Sequence, residues 1–200
     1  GLKFICRDSA TVPTNGFDRP LSSRFDEQDA FVIFDDVEIP RENLFLDGTR
    51  GSVEAYNSFG GPRVMSTMTT QTTIRALNKL EFSYGLGTLM AQAIGDVSPA
   101  TNEMLGELQS YMEVTRNAIV AATERGWADD RGVYFLENRA LDPMRSLLAV
   151  WFPRVNEILT LIGSHNLLAT PARKDLDNPE MRPLIDEFMH GANGTDAERR

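Results

Sequence analysis

Few residues in this sequence are of the types that make or break bonds, and their spacing suits them poorly to it. The two histidines, His165 and His190, stand far apart, with no H-x-x-x-H or C-x-x-C pattern near either, so no metal centre is expected. The single cysteine, Cys6, lies in the apolar run LKFIC and reads as a small buried hydrophobe; alone it permits no internal disulfide. No G-x-S-x-G marks a nucleophile, and no G-x-G-x-x-G joins a strand to a helix as a dinucleotide site requires. Carboxylates are plentiful but scattered. Asp35-Asp36 and Asp129-Asp130 are adjacent pairs whose side chains point apart on a strand or helix, so both pairs are expected to be solvated. What remains is chemistry of binding and orientation: hydroxyls and amides in the run RDSATVPTNGFDRP, residues 7–20, and a second hydroxyl cluster at Ser66, Thr67, Thr69, Thr70, Thr72 and Thr73.

The elements that position these groups hang from residues 30–46, AFVIFDDVEIPRENLFL. Its first five residues have the apolar, aromatic-rich composition of a buried strand. Val37 and Ile39 alternate with Asp36 and Glu38, the period of a second strand with one wet face, and Pro40 ends any ladder there. Residues 2–6 form another short strand. Residues 7–20 contain Pro13, Asn15-Gly16 and Pro20 with no apolar period, which predicts a loop; residues 21–30 are mostly polar, a turn or short edge strand.

Beyond residue 47 the pattern is helical. Ser52 is expected to cap a short helix ending at Gly60-Gly61, and Pro62 to open a long one to Ile94, with Leu77, Leu80, Tyr84 and Leu89 near helical spacing. Its polar first turns suit a helix that is packed there or faces a ligand, because serine and threonine are poor helix formers. Ser98-Pro99 starts a helix to about Gly126, on which Met104, Leu108, Tyr111 or Met112, Thr115, Ile119 and Ala122 make an apolar stripe. Residues 127–138 read as a loop. Residues 141–168 are helical, with Pro153 expected to kink or split them; residues 169–177 read as irregular, and Asn178-Pro179-Glu180 restarts a helix ending near His190-Gly191. The fold class is α+β, mainly α: strands over 1–47, then a helical bundle over 48–200.

The 20 basic and 29 acidic side chains leave a net charge of −9, which argues against nucleic acid or an anionic membrane as partner, since both favour basic surface. No apolar run approaches the ~18 residues of a membrane span, and no secretory leader is apparent, so a cytoplasmic setting is expected.

A strand ending in I-P-x-E-N-L-F ahead of a helical domain resembles the acyl-CoA dehydrogenase-like flavoproteins. GLKFICR, PLSSRFDEQDA, KLEF, ARKDLDNP and HGANGTDAERR, in that order along the chain, resemble the large oxygenase component of two-component 4-hydroxyphenylacetate 3-hydroxylases. The resemblance implies the end of a β-barrel-like middle domain followed by an acyl-CoA dehydrogenase-like antiparallel helical bundle, together less than half of such an enzyme. It implies reduced FAD supplied by a separate flavin reductase, O2 as co-substrate, hydroxylation of a phenol beside its OH, and a homo-oligomer, usually a tetramer. It places the residues that hold the phenol upstream of Gly1, so no catalytic residue is expected here.

By the same resemblance, residues 8–19 correspond to a substrate-covering loop, a mobile lid with Ser9, Thr11, Thr14 and Asn15 as polar contacts. Met68 sits where some relatives carry a substrate-facing aromatic, and Gln71 and Arg75 match a polar stripe near the flavin and the subunit interface. The alternatives are another enzyme of the same fold, a dehydrogenase or 4-hydroxybutyryl-CoA dehydratase, or, for this chain alone, a helical oligomerisation domain without chemistry. The iron–sulfur dehydratases draw a cysteine ligand from their helices, and the helices here have none.

Overall fold

The computed structural model describes residues 1–6, 15–21, 24 and 29–193, without the side chains of Phe59, Asn166 and Leu168. It is mainly helical, as the sequence predicts, and divides into two compact units.

The first unit comprises Gly1–Thr49 and Pro171–Met189. Strands β1 (Leu2–Cys6) and β2 (Ala30–Phe34) pair antiparallel, with Leu2 opposite Phe34 and Cys6 opposite Ala30. Both were expected to be buried, yet Phe4, Ile5, Phe31 and Phe34 are exposed, and so is Cys6. The reason is architectural: among the described residues these two strands have no third strand beside them. The expected strand at Val37 and Ile39 is likewise absent. Asp36 turns the chain with a positive φ of 49°, and the next regular element is a single 3-10 turn, Arg41–Asn43, entered from Pro40. Residues 171–189, expected to belong to the helical domain, join this unit through helices α5 (Arg173–Leu176) and α6 (Arg182–Phe188). The link is concrete, since the Arg173 N–H donates to Asp18 Oδ1 at 2.8 Å.

The second unit is a three-helix bundle. Helix α1 (Arg50–Ala55) does not stop at Gly60; a π turn, Tyr56–Gly60, carries it directly into α2 (Gly61–Ile94). Gly60 keeps right-handed helical dihedrals, so it caps nothing, and Ser52 lies inside α1. The threonine-rich start of α2 survives because its hydroxyls, the buried one of Thr70 excepted, find backbone carbonyls. Thr67, Thr69, Thr72 and Thr73 donate to Arg63, Met65, Met68 and Thr69, and Ser66 donates across to the Leu136 carbonyl. Gly95, at φ 72°, ends α2 in the left-handed conformation that glycine adopts without strain. Ser98 then caps α3 (Pro99–Glu124), accepting from the Thr101 N–H. After α3 comes a small hairpin that the sequence pattern did not reveal, β3 (Trp127–Ala128) with β4 (Tyr134–Phe135), and then α4 (Asn138–Ala169).

Cross-contacts give the helix directions. Glu81 of α2 meets Arg116 of α3, and Gly87 lies by Leu105, so these two run antiparallel. Glu107 meets Arg154 and Tyr111 stacks on Trp151, so α3 and α4 are antiparallel too. Helices α2 and α4 are therefore parallel to each other. The core they share is built from Ala76, Leu80, Leu108, Met144, Leu148, Val155, Ile158 and Ile162. Leu80, Leu108 and Ile158 are fully buried, each stabilising the bundle by roughly 1.5–3 kcal/mol. The stripe foreseen on α3 faces this core, whereas Leu89 of α2 is exposed. Helix α4 keeps helical dihedrals at Pro153, whose residue faces solvent, and departs from them at Ser164, at φ 47°, just after the buried Gly163.

Two glycines separate the effects of space and backbone. A Cβ on Gly126 would lie 2.6 Å from the Phe135 carbonyl oxygen, which cannot swing aside, whereas nothing stands within 4 Å of one on Gly106. Gly126→Ala should therefore lower stability by about 1–3 kcal/mol. Gly106→Ala, inside α3, should raise it by about 0.5–1 kcal/mol. Urea unfolding of the two variants checks both signs.

Candidate functional site

Three groups of polar residues could contribute to a site. The first is the loop before β2. Ser9, Thr11 and Thr14 lie outside the described residues. Asn15 lies within them and uses its whole amide in a turn. Its Oδ1 accepts from the Phe17 and Asp18 N–H groups, and its Nδ2 donates to Asp18 Oδ2 at 2.7 Å. Asp18 passes this order on to Arg173, whose guanidinium also sits 5.9 Å from the Phe17 ring centroid. The Asn15 side-chain amide, followed by the Arg173 N–H, holds the Asp18 carboxyl below the usual carboxylate range. Phe17 is thus paired with a cation beside this turn.

The second group lies on α2. Met68, Gln71 and Arg75 are all exposed, and Arg75 lines an open cleft of about 310 Å³ with Thr72, Ala76 and Lys79 of α2 and Leu148, Ala149 and Phe152 of α4. Sequence reasoning missed Lys79 as a partner of Arg75. The signal was present, since the two stand one helical turn apart.

The third group consists of ion-pair networks. Arg154 forks onto Glu107, Nε to Oε1 at 3.1 Å and Nη2 to Oε2 at 3.0 Å, and also reaches Glu157. The Tyr111 hydroxyl donates to the same Glu107. The fork and the hydroxyl together hold the Glu107 carboxyl below its ordinary range. Tyr111, desolvated and bonded to that carboxylate, is pushed up to about 12, which leaves it a fixed donor rather than an acid. Asp129 corrects a reading from sequence, because its side chain is fully buried rather than solvated. Burial pushes its carboxyl up, but the Val133 N–H, the Arg131 guanidinium and the Arg131 N–H outweigh that and hold it at about 2. Arg63 also approaches Asp129, at 3.4 Å, while lying 5.5 Å from the centroid of Trp127, which stacks on Phe135. These networks fasten the hairpin and α3 to the bundle and present no unpaired acid or base. Among the described residues no group of three or more His, Cys, Asp or Glu could hold a metal ion, and no helix is long and apolar enough to cross a membrane.

Comparison with known proteins adds what this geometry lacks. The family model described as 4-hydroxyphenylacetate 3-hydroxylase C terminal matches residues 61–200, and the corresponding N-terminal model matches residues 1–46. The chain belongs to the 4-hydroxyphenylacetate 3-hydroxylase family. A 4-hydroxyphenylacetate 3-monooxygenase oxygenase component of Thermus thermophilus is 35% identical over 96% of this chain. A Streptomyces globisporus monooxygenase of a carrier-protein-bound 3-amino-3-(3-chloro-4-hydroxyphenyl)propanoyl group is 32% identical over all of it. The chain spans 40% and 39% of the lengths of these relatives. Among solved structures, a 4-hydroxyphenylacetate 3-monooxygenase oxygenase component complexed with FAD and 4-hydroxyphenylacetate superposes with a TM-score of 0.87 at 34% identity, over 100% of this chain and 41% of that one. A 4-hydroxybutyryl-CoA dehydratase from N. maritimus, 18% identical with a TM-score of 0.79, shares the fold.

Glu107 and Asp129, two of the carboxyls held low in this family member, contribute to its acid limit. Their folded pKa values lie below the unfolded values of about 3.9 for Asp and 4.3 for Glu, so their contribution is complete above that range and is lost as pH falls through the folded values. Melting temperature should therefore fall between about pH 4 and pH 2, the lower bound being the Asp129 value. Asp129→Asn should start lower and fall less across the same window, measured by circular dichroism.

Proposed function

We propose that this chain is part of a reduced-flavin-dependent monooxygenase that hydroxylates a small phenol beside its OH. 4-Hydroxyphenylacetate or a close analogue is the substrate, O2 the co-substrate, and a separate reductase the source of reduced FAD. The observation that carries this reading is the superposition of the whole of this chain on 41% of an oxygenase component complexed with FAD and 4-hydroxyphenylacetate. The first unit is then the end of a barrel-like middle domain, the enzyme a cytoplasmic homotetramer, and the second unit its helical assembly domain.

The residues present fit one side of a flavin. The exposed face of α2 offers the Gln71 amide as donor and acceptor beside the apolar Met68, a pairing suited to the polar edge and flat face of an aromatic ring system. When bound, the reduced flavin supplies the oxygen activation, and this chain's task is to bind, orient and exclude water. Ser9, Thr11 and Thr14 are the candidate contacts to the phenol, and Met68 is apolar cover for its ring. Asn15 serves them through the backbone, by folding residues 15–18 into the turn that Asp18 ties to Arg173. A lid over residues 8–19 with its foot at that turn would give the cover that a water-sensitive reaction requires.

The experiment supplies a protein of the relatives' full length with reduced FAD, O2 and a panel of phenols. Catechol products are expected by chromatography, and their absence with every phenol would refute the reading. In that protein, Thr14→Ala with Asn15→Ala should change which phenols are accepted and increase the peroxide released per catechol. The 200-residue chain alone should form no catechol.

A further inference from the structure

The turn at residues 15–18 opens with an asparagine followed by glycine, and the sequence holds one other such pair, Asn193-Gly194. In this pairing a backbone nitrogen reaches a side-chain carbonyl carbon with least hindrance, because glycine has no Cβ and leaves the backbone free to turn. Asn15 and Gly16 are both exposed, so water reaches them. Among the described residues the Gly16 N–H has no hydrogen-bond partner. The Asn15 carbonyl, in contrast, is held by two donors, the Phe17 N–H at 3.0 Å and the Asp18 N–H at 2.8 Å. Two converging backbone donors stabilise an oxygen that becomes negative when its carbon is attacked.

We propose that Asn15 is a modification site, where the turn promotes its own deamidation to aspartate or isoaspartate, and that the change unfastens Asp18 from Arg173. The Gly16 nitrogen gives its proton to hydroxide and its electron pair to Asn15 Cγ. The negative charge that forms on Oδ1 rests on the Phe17 and Asp18 N–H groups. The Cγ–Nδ2 bond then breaks, Nδ2 leaves as ammonia with a proton from water, and a five-membered succinimide remains. Water opens that ring at either carbonyl. Cleavage of the new N–Cγ bond gives aspartate, and cleavage of the original peptide bond gives isoaspartate. One water is consumed and one ammonia released, with no oxidant, metal or cofactor. Asn193 differs, since its Nδ2 donates to the Gln92 carbonyl at 3.1 Å and among the described residues its Oδ1 accepts from no group.

The consequence follows from what the amide nitrogen holds. Asn15 Nδ2 donates to Asp18 Oδ2 at 2.7 Å, and Asp18 Oδ1 accepts the Arg173 N–H at 2.8 Å. Replacing that nitrogen by oxygen removes the donor and sets two carboxylates against each other at the same spacing, which disfavours the ionised pair. Asp18 must swing away or take up a proton, and either weakens its hold on Arg173. Isoaspartate also adds a methylene to the backbone and displaces the Asn15 carbonyl, to which the Arg19 N–H donates at 3.2 Å. A contact between residues 155 apart in sequence thus depends on one side-chain nitrogen. Its loss is irreversible, so the turn records the age of the molecule and its exposure to alkali.

The 200-residue chain, held at mildly alkaline pH and sampled over days, tests the chemistry. Peptide mapping by mass spectrometry, with enzymatic methylation to count isoaspartate, gives the rate at each asparagine. Asn15 should convert about tenfold faster than in a synthetic peptide of residues 12–19, as two added hydrogen bonds to the carbonyl oxygen imply. It should also convert faster than Asn193 of the same chain. A rate equal to or below that of the peptide overturns the proposal, because the turn would then protect the amide. Hydrogen exchange by NMR tests the consequence. The Arg173 amide should exchange about tenfold faster in Asn15→Asp than in the unaltered chain. In Asn15→Ser, which removes the nitrogen but adds no charge, the acceleration should be smaller. Exchange at Leu80, inside the bundle, should be the same in all three. Unchanged Arg173 exchange in Asn15→Asp overturns the proposal as well. None of these readouts uses hydroxylation, so the proposed reaction stands or falls separately.

Discussion

Helix α3 can hold two parallel helices together because one of them lacks a side chain where all three meet. At Gly87 an added Cβ would lie 3.2 Å from Leu105 of α3 and 3.4 Å from Leu159 of α4. Close approach there brings Leu80, Leu108 and Ile158 into one dry core, and burial of that core fixes the direction of every helix around it. The charged fork of Arg154 on Glu107 then registers α3 on α4 along their length, with Tyr111 stacked flat on Trp151 beside it. The exposed face of α2, which carries the residues of most functional interest, is positioned by this buried arrangement on its opposite side.

The helices were legible because their signals are local. The proline and serine that begin α3, the glycine that ends α2 and the three-four spacing from Met104 to Ala122 all act within one or two turns. Features set by distant partners were not legible. The hairpin at Trp127 and Phe135 depends on Arg63, far back in the sequence, and on Asp129, whose burial no neighbouring residue announces. Strand β2 has a core composition yet lies exposed, because composition reports what a strand can pack against rather than what is beside it. Pro153 misled for a related reason. Its ring points to solvent, so the helix tolerates one lost hydrogen bond there and breaks instead at Ser164.

The candidate site was legible mainly as a family pattern. Hydroxyls and amides carry no signature of their own, and nothing in the spacing of Ser9, Thr11 and Thr14 distinguishes a ligand contact from a solvated loop. Asn15 shows the difficulty from the other side, for both ends of its amide are engaged within its own turn. The cation pair on α2 could have been found from sequence alone, since Arg75 and Lys79 stand one helical turn apart.

The π turn between α1 and α2 has a consequence for evolution of the chain. It lengthens the helical path by about one residue over its span without ending the helix, which is how a single inserted residue is absorbed in a rod that must stay continuous. The residues of α1 are thereby turned by about 100° relative to the phase that α2 sets. The face that α1 presents can thus be re-aimed by gain or loss of one residue between Tyr56 and Gly60, while the register of the bundle, fixed further on at Gly87, stays where it is.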